Sequence, residues 1–195
     1  NRAEVQSPSD FQVLKRFVSV GAIYNRSNKN TLTNCVFTRN KGIGKTRVAR
    51  CFAAGSVYSE NSVGFYTPPS YVKSTNCTFY KDSAWAETSS GGAHAGGSFF
   101  LRQDSLILNN SIVWGTYGNT TGTAPPAAVI SRDTTINHLS GNIVVNNSLL
   151  SGYTGSCNSC LLRVSPTFED TNSIEGVDGI LGTADDGLRL EKGSL

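Results

Sequence analysis

Carboxylates near the C-terminal end are the residues best suited to hold a metal ion. Asp178, Asp185 and Asp186 lie in a stretch rich in glycine, and glycine lets the backbone turn its carbonyl oxygens toward a cation. Ca²⁺ takes about six to eight oxygen ligands, many of them from carboxylates and loop carbonyls. The spacing does not match an EF-hand loop, so a solvated acidic turn that closes the domain is the alternative. Ca²⁺ is the one cofactor that the sequence suggests.

Two cysteines, Cys157 and Cys160, form a C-x-x-C motif. A redox pair of this kind precedes a helix, and a zinc site needs a second pair of Cys or His ligands, but the sequence offers neither. A loop disulfide formed in an oxidising compartment is therefore the favoured interpretation. Cys35 and Cys77 stand at equivalent places in a sequence repeat. We expect them to be buried thiols, because stacked parallel side chains rarely reach disulfide geometry.

Residues for acid-base or nucleotide chemistry are scattered along the sequence. Cleavage of polysaccharides requires carboxylates clustered at one place, whereas the acids in the middle of the chain stand at unmatched positions, and neither His94 nor His138 has an obvious carboxylate partner. These acids are Glu60, Asp82, Glu87, Asp104 and Asp133. Residues 44–46 (Gly-Lys-Thr) resemble the end of a phosphate-binding loop, but Arg39 replaces the glycine that such a loop needs. The sequence therefore assigns no catalytic and no nucleotide-binding residue.

A short repeated motif identifies the elements that must position these residues. In each copy an asparagine is followed by Cys or Ser and then by apolar residues, and successive copies lie 42, 34 and 37 positions apart. The asparagines are Asn34, Asn76, Asn110 and Asn147. If the copies stack, these side chains are predicted to form an asparagine ladder in which each amide donates to the next. The alternative is that these asparagines mark the turns of a β-sandwich. Sandwich turns, however, recur about every 8 to 12 residues, a much shorter spacing than that of the motif.

This period, together with the strand-forming residues around it, predicts an all-β fold, a parallel β-helix or solenoid. Each coil of such a fold contributes short strands to parallel sheets, and successive coils lie about 4.8 Å apart. We expect a single domain over residues 1–195, with an N-terminal arm at 1–16, helix coils at 17–163 and an acidic, Gly-rich cap at 164–195. Residues 38–54 and 61–71 are predicted to be loop insertions, the first basic and the second interrupted by two prolines.

The composition is that of a folded protein with few charges, unevenly placed. Of the 195 residues, 38% are hydrophobic and 16% are charged, a balance common in extracellular β proteins. The sequence contains no apolar run long enough to span a membrane and no signal peptide. Because it also contains no Met, we expect a processed or partial product. Residues 1–54 carry a net charge of +8 and residues 164–195 a net charge of −5, so the chain is electrically polar.

Four segments carry a resemblance to a known family. They are residues 21–25 (Gly-Ala-Ile-Tyr-Asn), 32–37 (Leu-Thr-Asn-Cys-Val-Phe), 109–115 (Asn-Asn-Ser-Ile-Val-Trp-Gly) and 178–190, which includes Gly-Thr-Ala-Asp-Asp-Gly. With them the chain resembles bacterial secreted and surface proteins built from right-handed parallel β-helix repeats, of the choice-of-anchor and polymorphic outer-membrane-protein type. The resemblance covers nearly all of residues 17–195. It implies a right-handed parallel β-helix, secretion or display on the cell envelope, and a non-catalytic adhesive or structural role.

These observations favour an extracellular structural protein over an enzyme. A β-helix leaves unpaired backbone at both ends, and here the end segments carry opposite charge. Head-to-tail stacking of identical chains into a filament or surface appendage is therefore the first hypothesis. A monomeric cell-surface adhesin that binds carbohydrate, with a surface polysaccharide as its partner, is the alternative, and a polysaccharide lyase or hydrolase is the second. The basic first third carries no nucleic-acid reader motif, so nucleic acid is not expected as a partner.

Overall fold

The structure is a computed structural model that describes residues 2–6, 16–26, 29–47, 50–61, 70–89, 92–121, 128–133, 141–162, 164–174, 178 and 188–192. The chain divides into two compact units, Asn1–Leu162 and Arg163–Leu195. Across the described ranges the backbone forms strands, bridges and turns but no helix, so these ranges hold no helix that could cross a membrane.

The first unit passes repeatedly along the same path, and each passage is called a coil. The first coil consists of β1 (Arg2–Gln6), β2 (Arg16–Val20), β3 (Ile23–Arg26), β4 (Lys29–Thr33) and β5 (Val36–Thr38). The second consists of β6 (Lys41–Thr46), β7 (Arg50–Ala54), β8 (Val57–Glu60), β9 (Tyr71–Thr75) and β10 (Thr78–Tyr80). The third consists of β11 (Ser83–Thr88), β12 (Ala93–Arg102), β13 (Ser105–Asn109) and β14 (Ile112–Trp114). The fourth consists of β15 (Tyr117–Thr121), β16 (Ala128–Arg132), β17 (Ile143–Asn146) and β18 (Leu149–Leu150), after which comes the short strand β19 (Leu161–Leu162).

Equivalent strands of successive coils pair to form four parallel sheets. Sheet A contains β1, β6, β11 and β15; sheet B contains β2, β3, β7, β8, β12 and β16; sheet C contains β4, β9, β13 and β17; sheet D contains β5, β10, β14, β18 and β19. In sheet D the register is continuous, since Val36 pairs with Thr78, Thr78 with Ile112, and Ile112 with Leu149. The chain visits the four sheets in the same order in every coil. The prediction of an all-β fold with parallel sheets is confirmed, and the path is solenoid-like.

The predicted loop insertion at residues 38–54 is wrong. These residues contain β6 in sheet A and the whole of β7 in sheet B. In β6 the exposed Lys41 and Lys45 flank the buried Gly42 and Gly44, so the strand has few of the large inner residues by which strands are identified. The predicted arm at 1–16 likewise contains β1, which pairs with β6. Residues 62–69 of the second predicted insertion lie outside the described residues.

The interior is filled differently on its two sides. Toward sheets C and D the inward side chains are large and apolar, and Phe79, Leu108 and Val113 are fully buried there. Between sheets A and B the buried side chains are small. They are Cys51, Ala53, Ala84, Ala86, Ala93 and Ala95. A Cβ atom at Gly42 would stand 2.3 Å from the carbonyl oxygen of Ala54, so these two sheets approach too closely for a larger residue at that position.

The second unit contains a short antiparallel contact among its described residues. Phe168 and Leu190 form an isolated bridge, and backbone hydrogen bonds of 2.9 Å lie on both sides of it. Phe168 and Leu188 are buried.

Candidate functional site

The repeat asparagines stack in register but have the backbone of turn residues. They are Asn34, Asn76, Asn110 and Asn147, with φ angles between 45° and 54°. This left-handed region suits Asn better than most other residues, and the four side chains are exposed. Among the described residues, the side-chain hydrogen bond between asparagines joins Asn146 Nδ2 to Asn109 Oδ1 at 2.9 Å, one position earlier in the repeat. Instead of the expected amide ladder, the structure shows a column of left-handed turns.

The residue after each asparagine forms a ladder of a different kind. Ser111 Oγ accepts from the N–H of Cys77 at 3.1 Å and donates to the carbonyl oxygen of Asn109 at 2.7 Å. The N–H of Ser111 in turn donates to Ser148 Oγ at 3.1 Å, and the N–H of Cys35 donates to Cys77 Sγ at 3.4 Å. These four Cys and Ser residues thus link the coils along the corner between sheets C and D. Cys35 and Cys77 are free thiols, and Cys77 is buried as expected, whereas Cys35 is only partly buried.

Cys157 and Cys160 form a disulfide with their Cα atoms 5.9 Å apart. The chain runs from β18 to β19 through residues 151–160 alone, a segment called the cap loop below. Asn158 pairs with the last residue of β17, so Cys160 occupies a fifth position in the Cys and Ser ladder. Tyr153 and both cysteines pack against the apolar core. The cap loop therefore covers part of the interior at the end of the fourth coil.

Glu60 is a buried acid held by residues of neighbouring coils on sheet B. Its Oε1 accepts from the Tyr24 hydroxyl at 2.6 Å and its Oε2 from the Tyr58 hydroxyl at 3.2 Å. Arg102, from the next coil, lies 3.6 Å from Glu60 and 3.5 Å from Asp133. Glu60 and Asp133 are 1% and 4% exposed, so both carboxylates are enclosed by protein and closed to a substrate.

Asp82 is an acid in the interior, at the corner between sheets D and A. It accepts from the N–H of Asn40 at 3.0 Å, from the Ser56 hydroxyl at 2.6 Å and from the Ser98 hydroxyl at 3.3 Å. Burial raises its pKa to about 6, and these hydrogen bonds act in the opposite direction. The carboxyl is therefore largely protonated below pH 6 and ionised at neutral pH.

Two further acids also interact with protein groups. Asp104 is buried and accepts from the hydroxyls of Ser59 and Ser70, the second at 2.8 Å. Glu87 is half-buried and lies 3.3 Å from Lys45 of the preceding coil. Four of the five acids considered for catalysis are buried and Glu87 is partly exposed, and each contacts protein groups from other strands.

His94 gives no support to acid-base chemistry. The ring of His94 stacks on Phe52 with 5.3 Å between centroids. Burial lowers the pKa of His94, so its imidazole is neutral at physiological pH. His138 lies outside the described residues.

Of the three predicted Ca²⁺ ligands, the structure describes Asp178, and this residue is exposed. Asp185 and Asp186 lie outside the described residues. In the part of the chain that is described, no group of three or more His, Cys, Asp or Glu is arranged to hold a metal ion. The Ca²⁺ site stays a prediction.

A cavity of about 460 Å³ lies where the cap loop meets the fourth coil. Ile130 and Arg132 of β16 line one part of it, Asn142 and Ile143 at the start of β17 line another, and residues 152–156 of the cap loop line the rest. Its size falls within the range of about 300 to 1,000 Å³ that is usual for small-molecule sites. The lining combines two isoleucines with hydroxyl, amide and guanidinium groups.

The cap loop brings an aromatic ring to this cavity. Gly152 has a φ angle of 69°, a left-handed turn that directs the following residue back toward the coil. Tyr153 is half-buried, and its hydroxyl lies 3.3 Å from the carbonyl oxygen of Ser156, to which it donates. Burial raises the pKa of Tyr153, and the positive charge of Arg132 opposes the shift. The neutral phenol thus offers an apolar ring beside a polar edge.

No match is found when the chain is compared with protein-family models, with curated proteins and with solved structures. Function is therefore inferred from the chemistry of the chain's own residues. The cavity offers planar donors, hydroxyls and one aromatic face, a set that suits a hydroxyl-rich ligand of modest size.

Proposed function

We propose that this chain is a non-catalytic, extracellular or cell-surface module that binds a saccharide in the cavity beneath the cap loop. One observation carries the proposal: Tyr153 and several hydrogen-bonding side chains line a single cavity. A sugar ring presents apolar C–H faces that pack on an aromatic ring and hydroxyls that need donors and acceptors around it. Asn142, Thr154 and Ser156 supply such groups.

In this proposal the coils wind as a right-handed parallel β-helix. A connection that joins two parallel strands of one sheet is right-handed in nearly all known cases, and each coil of this chain is such a connection. The disulfide between Cys157 and Cys160 and the low content of charged residues support an oxidising, extracellular location.

Calorimetric titration of the purified chain with a panel of neutral and acidic saccharides tests the proposal. We expect binding of at least one saccharide, and Tyr153→Ala should weaken it by about tenfold, because the ring face is lost. Tyr117→Ala is the matched control, since Tyr117 lies on sheet A and is 58% exposed. A chain that binds no saccharide, or a Tyr153→Ala variant that binds as well as the parent, would contradict the proposal.

End-to-end assembly is a second candidate, favoured by a different observation. Inward residues are less covered in the first and last coils than in the middle: Phe37 of β5 is partly buried, whereas Phe79, stacked on it at 4.7 Å, is fully buried. In the last strand Leu161 and Leu162 are 42% and 37% exposed. The opposite net charges of residues 1–54 and 164–195 support a head-to-tail filament or surface appendage over a symmetric dimer.

Electron microscopy and sedimentation at several protein and salt concentrations test this assembly. We expect oligomers that grow with concentration and dissociate with salt, since screening weakens the attraction of opposite charges. Leu161→Lys should reduce the oligomer size, whereas Val144→Lys, which adds the same charge at a residue 42% exposed on sheet C, should not. A monodisperse monomer at high concentration and low salt would exclude assembly and leave the saccharide module.

A further inference from the structure

The charge of the cavity is unbalanced. Arg132 is the one charged residue among the described residues that line it. Its neighbour in sequence, Asp133, is buried and lies 3.5 Å from Arg102, so this carboxylate already faces another cation. Within the described part of the chain Arg132 makes no ion pair, and its side chain is exposed. A guanidinium that keeps its full charge at a cavity wall attracts an anion.

Tyr153 does not neutralise this charge. Its hydroxyl donates to the carbonyl oxygen of Ser156, and burial holds its pKa above the ordinary value even though Arg132 acts to lower it. The phenol therefore remains uncharged over the physiological range. Asn142, Thr154 and Ser156 are likewise neutral groups that can bond to hydroxyls. The cavity thus combines one cation with a neutral, hydroxyl-binding lining.

We infer that the cavity selects a saccharide that carries a carboxylate, such as a uronic acid, with Arg132 as the residue that determines this specificity. A guanidinium presents two parallel N–H donors that match the two oxygens of a carboxylate. Ring hydroxyls then bond to the neutral lining, and the ring face packs against Tyr153. This inference rests on the proposed saccharide-binding function and adds the chemical class of the ligand.

Two probes that differ at one carbon test the inference. Methyl β-glucuronide carries a carboxylate where methyl β-glucoside carries a hydroxymethyl group, so the difference in affinity reports the carboxylate. For the full chain we expect the glucuronide to bind at least about tenfold more tightly, the gain typical of a charge-assisted hydrogen bond. Arg132→Gln should remove this preference by lowering the affinity for the glucuronide to that for the glucoside. Arg132→Lys, which keeps the charge but not the planar fork, should retain part of it.

Lys73→Gln is the control, because Lys73 is an exposed cation on sheet C away from the cavity, and its loss should leave both affinities unchanged. Equal affinity of the chain for both sugars, or an unchanged preference in Arg132→Gln, would overturn the inference while saccharide binding stands. Displacement of the glucuronide by inorganic phosphate at matched concentration would overturn it as well, by showing a site for anions in general. Failure of both sugars, and of the wider saccharide panel, would overturn the proposed function itself.

Discussion

At the scale of single residues, the buried acids differ in how their charge is compensated. Glu60 and Asp133 lie near the guanidinium of Arg102, whereas Asp82 is held by hydroxyl and amide donors. With no cation beside it in the described part of the chain, the Asp82 carboxyl has a pKa that burial raises to about 6 from the ordinary 3.8. Ionisation of Asp82 therefore opposes folding.

Replacing Asp82 with Asn should stabilise the protein at neutral pH. The folded-state pKa lies above the unfolded value, so the contribution of Asp82 to stability is greatest below about pH 4 and is lost as the pH rises through 6. A shift of this size corresponds to at most about 3 kcal/mol. Denaturant unfolding at pH 4 and pH 8 should show a gain for Asp82→Asn at pH 8 alone.

Glu87→Gln is the control for this experiment. Glu87 lies 3.3 Å from Lys45, and both side chains are more than 40% exposed, so removing its charge should change the free energy of unfolding by less than about 1 kcal/mol at either pH. If Asp82→Asn destabilised the protein equally at both pH values, a hydrogen-bonding role would outweigh the cost of the buried charge.

Substitution of Asn76 tests whether the repeat asparagines stabilise the fold through their left-handed backbone conformation or through their side chains. With a φ of 54°, Asn76→Gly should leave stability within about 0.5 kcal/mol of the parent, because glycine adopts this region freely. Asn76→Ala should cost about 1 kcal/mol or more. Thermal unfolding measures the stability of both variants. An equal loss of stability in the two would support a role for the amide side chain, as in the predicted ladder.

At the scale of elements, neighbouring coils are joined by more than the sheets. The ladder of Cys35, Cys77, Ser111 and Ser148 satisfies backbone N–H groups at the turn between sheets C and D, where the left-handed asparagines interrupt regular pairing. A small side chain with both donor and acceptor capacity fits this corner, since it must accept from one coil and donate within its own. Cys and Ser share that property.

Ser111→Ala should therefore destabilise the protein by about 1 to 3 kcal/mol, because the N–H of Cys77 would lose its acceptor in a buried place. Ser111→Cys reproduces the residue found in the first two coils and should cost less. Chemical denaturation measures both changes. Ser89→Ala, at an exposed hydroxyl, is expected to have little effect, and a loss in Ser111→Ala no larger than in this control would argue against the ladder.

At the scale of the whole molecule, the first unit is an array in which each coil contacts its neighbours, and the two end coils differ. The cap loop shortens the last passage to residues 151–160 and places Tyr153 and the Cys157–Cys160 disulfide against the core. The cavity exists because this loop crosses the end of the fourth coil. Binding and stability should therefore both depend on the cap loop.

Removal of the disulfide should affect the two properties together. In Cys157→Ser/Cys160→Ser the loss of a short covalent loop should lower the free energy of unfolding by about 2 kcal/mol, and saccharide affinity should fall because Tyr153 is held less firmly. Unfolding and titration with and without reductant give the measurement. Reductant should reproduce the effect in the parent chain and add nothing to the double variant, since the remaining cysteines are free thiols.

The stacked parallel sheets could be predicted from the repeat, because each of its residues has the same structural role in every coil. The asparagine forms a left-handed turn, the Cys or Ser that follows lies in the ladder, and the apolar residues form a buried strand. Sheet A is harder to identify from sequence, because its close approach to sheet B requires small inner residues such as Gly42 and Gly44, which are typical of a loop.

A fifth copy of the motif, with Ser159 at a φ of 53° in place of the asparagine, is hard to recognise because it follows only 12 positions after Asn147. The cavity could not be predicted, since Arg132, Asn142 and Tyr153 come together only through the path of the coils.

The short cap loop also has a consequence for the order of folding. Leu149 pairs with Leu161, 12 positions away, whereas pairs between earlier coils in sheet D join residues 34 to 42 positions apart. Closing the shorter loop costs about 1 kcal/mol less entropy, so we expect the chain to nucleate at β18 and β19 and to add coils toward the N-terminus. Pulse-labelled hydrogen exchange should then protect sheet D at this end first. The earlier coils then remain unfolded until β18 and β19 have left the ribosome, so this part of the chain cannot fold coil by coil as it is synthesised.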